Sequence, residues 1–86
     1  MLYDSNKLIS LVKEAEQKGE GIWVRLKNEI KICLMRVENE QYIAKFFPCA
    51  KNSRAYQIPH SEVWKVEMCP DTKEPARYTR AVDHGA

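Results

Sequence analysis

Residues Gly21 to Val37 read GIWVRLKNEIKICLMRV, and apolar side chains recur at every second position. Ile22, Val24 and Leu26 are followed by Ile30, Ile32 and Leu34. A period of two sends alternate side chains to opposite faces, so this stretch is two strands, each with one buried face. Asn28-Glu29 divides them and suits a tight turn. The second strand is expected to run from Ile30 to about Val37. Its other face carries Lys31, Cys33, Met35 and Val37, so it becomes apolar on both sides at one end. A small barrel needs such a strand, because its inner side turns partway along.

Before this stretch the period is helical. Leu8, Ile9, Leu11, Val12 and Ala15 fall on one stripe between Asp4 and Lys18, with Lys7, Lys13, Glu14 and Gln17 outside it. Asp4 or Ser5 can cap the start. Gly19 and Gly21 offer the positive φ that ends a helix. One apolar stripe predicts a helix lying across a surface.

After the stretch, Glu38-Asn39-Glu40 reads as a turn and Gln41 to Phe47 as a third strand, stopped by Pro48. Cys49 to Arg54 is a polar, basic loop. Ala55 to Ile58 is a short fourth strand, Pro59-His60-Ser61 a single helical turn, and Glu62 to Met68 a fifth strand. The connections are too short for crossover helices, so the sheet is antiparallel. The expected fold is mostly β with one N-terminal helix: an SH3-like or OB-like small barrel of five bent strands. The helix at about 4–18 and the strands at about 21–68 place the domain at 1–69. Residues 70–86, with two prolines and sparse apolar groups, read as a flexible polar tail.

The 86 residues suffice for one domain, and a chain of this size buries only about 60–65% of the surface its unfolded form exposes. Self-association is the expected extra source of stability. Cys33, Cys49 and Cys69 are odd in number and far apart, which fits neither a disulfide framework nor a zinc site. They read as reduced thiols of a cytoplasmic protein. No apolar run is long enough to span a membrane. The N-terminus lacks the charge pattern of a signal peptide. Paired carboxylates, phosphate-binding loops and metal-ligand spacing are also missing. No enzyme activity, small-molecule substrate, metal or cofactor is expected. Neighbouring side chains point apart, so His60-Ser61 is not a catalytic pair.

The order of elements and the turn residues resemble the Sm-like (LSm) family, nearest in pattern to its bacterial Hfq branch. Leu26-Lys27-Asn28-Glu29-Ile30-Lys31-Ile32 resembles the first family motif. Glu40-Gln41-Tyr42-Ile43 resembles the opening of the third strand, and Tyr56, Ser61 and Val63 fall where the second motif has Tyr, Ser and Val. The resemblance covers about Lys7 to Met68. The departures are Glu29 at the turn glycine, Leu34 at the glycine that bends the second strand, and Gln57-Ile58 at a Lys-His pair. His60 sits two positions late.

The resemblance implies a homo-oligomeric ring of about five to seven subunits, joined through edge strands, that binds single-stranded RNA and acts in RNA regulation. It places Tyr42 as a ring on which a base stacks, with Gln41 beside it to read the base edge. Asn28 and Lys31 would frame that site, and His60 would lie near a central pore. Arg54 joins Lys45 and Lys51 in a loose basic group. Repeated around a ring, that group would raise a field despite a net charge of only +2. Trp23 and Trp64 would cover the helix–sheet junction or pack between subunits. Arg77, Tyr78 and Arg80 offer a further basic-aromatic contact. The alternative reading is a small SH3-like barrel that binds a protein partner, as an interaction module or inhibitor, through the basic loop and an exposed Trp.

Overall fold

Asp4 turns its carboxylate back on the chain, and Oδ2 accepts from the N–H groups of Asn6 at 3.0 Å and Lys7 at 3.4 Å. These are donors that a helix start leaves unpaired. Helix α1 (Ser5–Gln17) follows, in a computed structural model that describes residues 4–47 and 49–79. Leu8, Val12 and Ala15 are its buried residues. Gly19, at φ +73°, ends it, while Gly21 belongs to the next strand and has no positive φ.

The strands are β1 (Glu20–Leu26), β2 (Lys31–Glu38), β3 (Gln41–Lys45), β4 (Tyr56–Ile58), β5 (Val63–Val66) and β6 (Arg77–Thr79), with one 3₁₀ turn at His60–Glu62. All pairings are antiparallel, and the sheet runs β4-β3-β2-β1-β5. Among the described residues β4 and β5 do not pair, so the expected barrel does not close within one chain. Helix α1 packs Leu8, Val12 and Ala15 onto Ile22, Val24, Leu26, Ile32, Leu34, Tyr42 and Ala44. Each fully buried aliphatic side chain stabilises the fold by about 1.5–3 kcal/mol.

Two bulges shape the sheet. Leu34 pairs with Ala44 and Arg36 with Ile43, which leaves Met35 as an extra residue. A bulge bends and twists its strand, so β2 can bend at Met35 without a glycine there. On β5, Lys65 pairs with Arg25 and Val63 with Leu26, so Trp64 is the extra residue. The bulge turns Trp64 outward, and it is exposed.

The turns carry side chains where glycine is easier. Asn39 (φ +50°) and Glu40 (φ +63°) form the two-residue connection from β2 to β3. Two positive φ values define a type I′ turn, which favours Asn-Gly. Glu40→Gly is therefore expected to stabilise the chain by about 0.5–1 kcal/mol, read from the midpoint of urea unfolding. Glu29 (φ +69°) closes the β1–β2 turn, where Asn28 Oδ1 accepts from Ile30 N at 3.1 Å.

The segment after Pro70 differs from the expected tail. Cys69 N donates to Glu74 O and Ala76 N to Glu67 O, both at 2.8 Å, and β6 then pairs with Glu20, Gly21 and Ile22 of β1. Arg77 is fixed to Glu20 at 3.0 Å, and Tyr78 stands edge-on to Trp23. Short β5 covers only one end of β1, and β6 covers the other. Prolines and charges give this segment little strand propensity of its own. Arg80 and the rest of the expected tail lie outside the described residues, as does Pro48. No helix among the described residues is long and apolar enough to cross a membrane.

Candidate nucleic-acid interface

Tyr42, expected as a base-stacking ring, is only 1% exposed. The reason is its place on β3: it packs in the helix-facing core beside Ala44 and Leu34. A buried ring offers no face to a base, so this expectation is corrected. Its hydroxyl meets His60 Nδ1 at 2.7 Å. His60 therefore anchors the turn after β4 to the core. Gln41 is half-buried at the start of β3, and Asn28 spends its carbonyl on Ile30 in the β1–β2 turn. Lys31 is exposed, with Nζ 5.1 Å from the centre of the Trp23 ring. Trp23 lies on the sheet face away from α1, so it does not cover the helix–sheet junction. Asn28 and Lys31 lie at the β1–β2 turn, whereas Gln41 and Tyr42 open β3 after a different turn. The six expected residues do not form one site.

Burial pushes the Tyr42 phenol up to about 12 from its usual 10. Above pH 10 the unfolded chain loses this proton while the folded chain keeps it. Stability present below pH 10 is therefore lost as pH rises towards 12, by about 2–3 kcal/mol. Tyr42→Phe is expected to lower stability at neutral pH by about 1 kcal/mol, because it leaves His60 unpaired. It should also flatten the alkaline decline, checked by urea unfolding across pH.

A different cluster is open to solvent. Strand β3 ends at Lys45, and Cys49 N donates to Phe46 O at 2.8 Å, so the two phenylalanines leave the sheet in a turn. Phe47 is 77% exposed, Phe46 37% and Tyr56 of β4 39%. Phe46 and Tyr56 meet edge to face with ring centres 5.1 Å apart. The Arg54 guanidinium lies 5.8 Å from the Tyr56 ring centre. Lys51 is exposed in the same loop. Lys45 is partly used within it, its Nζ donating to the carbonyls of Ala50 at 3.1 Å and Lys51 at 3.4 Å. The Ser53 hydroxyl accepts from Ala50 N at 3.0 Å. The loop is thus tied internally; it joins the Phe46–Tyr56 ring pair and Arg54, and it and the residue before it also expose Lys51 and Phe47.

No family model, curated protein or solved structure matches this chain. The chemistry of the cluster has to be read from its own residues. Flat, partly exposed rings accept unstacked bases, and neighbouring guanidinium and ammonium groups accept phosphates. Of the expected site residues, only Arg54 belongs to this cluster. The sequence predicts Phe46 and Phe47 as the end of the third strand, whereas β3 stops at Lys45. Two adjacent aromatic residues running into a basic loop were the signal for the site.

Proposed function

We propose that this chain is a ring-forming Sm-like protein that binds single-stranded RNA in the cytoplasm and acts in RNA regulation. The observation that supports it best is the exposed Phe46–Tyr56 pair with Arg54 over Tyr56, next to exposed Phe47 and Lys51 in the same segment. On this reading bases stack on the rings, at about 1–3 kcal/mol each, and the cations hold the backbone. Among the described residues the edges at β4 and β5 do not pair with each other. In the proposed ring, β4 of one copy adds to β5 of the next, which removes both edges. The basic loop then repeats around an axis, and small local charges sum.

The test is a titration of labelled oligouridylate and oligoadenylate, with an RNA duplex of equal length as control. Single strands should bind, the duplex should bind much more weakly, and log affinity should fall linearly with log salt. Equal binding of duplex and single strand, or none of either, removes the RNA reading. Light scattering should give a mass of about five to seven subunits; a monomer removes the ring. The exposed, bulged Trp64 at the β5 edge favours a second reading, a protein-binding module. A stoichiometric protein partner with no RNA affinity would decide for it.

A further inference from the structure

Cys33 lies on β2 opposite Lys45 of β3. Beyond Lys45 the chain turns at once, which brings Cys49 Sγ to 3.7 Å from the Lys45 carbonyl oxygen. The turn thus returns the Cys49 thiol to the residue that Cys33 faces. Both are free and buried, yet neither belongs to the helix-facing core. Cys49 also holds φ +59°, which a residue with a side chain adopts only when its surroundings enforce it. The loop that follows carries Lys51 and Arg54, and Phe46 and Phe47 precede it.

We propose that Cys33 and Cys49 form an oxidisable dithiol that a peroxide closes to a disulfide, tying the aromatic and basic loop to β2. The consequence for RNA rests on the proposed function; the disulfide does not. In the first step the Cys49 thiolate attacks one oxygen of hydrogen peroxide. The O–O bond breaks, hydroxide leaves and takes up a proton to become water, and Cys49 becomes a sulfenic acid. The Cys33 sulfur then attacks the Cys49 sulfur. An S–S bond forms, the S–O bond breaks, and the hydroxyl leaves as water with the Cys33 proton. Two thiols and one peroxide give one disulfide and two waters, with two electrons passing from sulfur to oxygen.

Burial raises both thiols, while the neighbouring charge of Lys45 acts on Cys49 in the opposite direction. Cys49, on the turn and 6% exposed where Cys33 is 0%, is the attacking group and Cys33 the resolving one. Cys69 lies apart, in the connection between β5 and β6.

The full chain is treated with excess hydrogen peroxide, alkylated, and mapped by mass spectrometry without reduction. The expected product links Cys33 to Cys49 and leaves Cys69 alkylated, and Cys69→Ala gives the same link. Trypsin cleavage after Lys51 and Arg54 should slow about tenfold, because loop opening is restrained, and reductant should restore it. A link that uses Cys69, a link between chains, or unlinked Cys33 and Cys49 after treatment overturns the proposal. Unchanged cleavage despite the correct link overturns its effect on the loop. Oligouridylate should bind the oxidised chain about threefold more tightly, since the loop is ordered beforehand. If the link forms and cleavage slows but neither form binds RNA, the dithiol stands and the RNA reading fails.

Discussion

Tyr56→Ala is expected to weaken oligouridylate binding by roughly ten- to a hundredfold, the loss of one stacked base. The ring is well exposed, makes an edge contact with Phe46 and lies under Arg54, so its removal leaves no core cavity. Tyr56→Phe keeps the flat face and should retain most of the affinity. Arg54→Ala should act differently, lowering affinity evenly across sequences and reducing the salt slope by about one. Fluorescence anisotropy over several salt concentrations separates the two effects. Tyr42→Phe serves as the control, because a buried ring should not affect RNA affinity. Equal losses at Tyr42 and Tyr56 would contradict the proposed site.

Gly21→Ala is expected to destabilise the chain by about 2–3 kcal/mol, an overpacking cost. A Cβ on Gly21 would lie 2.4 Å from Cys33 Sγ, 3.0 Å from Met35 Sδ and 3.1 Å from the Leu34 carbonyl oxygen. Cys33 is fully buried and Leu34 O is backbone, so neither yields easily. Removing one neighbour should restore part of the loss: Gly21→Ala with Cys33→Ala should be more stable than the sum of the single changes. Gly19→Ala meets no atoms within 4 Å but sits at φ +73°, so its cost is conformational, about 1 kcal/mol. Urea unfolding of the four variants tests these values, and an unperturbed Gly21→Ala would contradict the packing described.

The sequence carried the fold further than the site. Period-two alternation over Ile22 to Leu34 and the stripe from Leu8 to Ala15 reflect burial against one face, except at Ile30, which lies in the turn before β2 and is exposed. The turns at Asn28-Glu29 and Asn39-Glu40 were legible because Asn39 tolerates a positive φ and the Asn28 side chain accepts from Ile30 N within the turn. Strand β6 was not legible, since its stability comes from the vacant end of β1 and from Glu20, which pairs with Arg77 across the chain. Tyr42 was misplaced for a related reason. Alternation groups residues by face but does not say which face the helix covers, and β3 buries Tyr42, Ile43 and Ala44 in succession. The exposed cluster joins the end of β3 to β4 across the loop, so only the folded sheet brings Phe46 to Tyr56.

The most direct test of the proposed interface is photo-cross-linking of wild-type protein to a short oligouridylate carrying 4-thiouridine, with the attached peptides sequenced by mass spectrometry. The account predicts attachment at Phe46, Phe47 or Tyr56, competed by unlabelled single strand. Attachment confined to Trp64 or Tyr78, or no competable attachment at all, would contradict it.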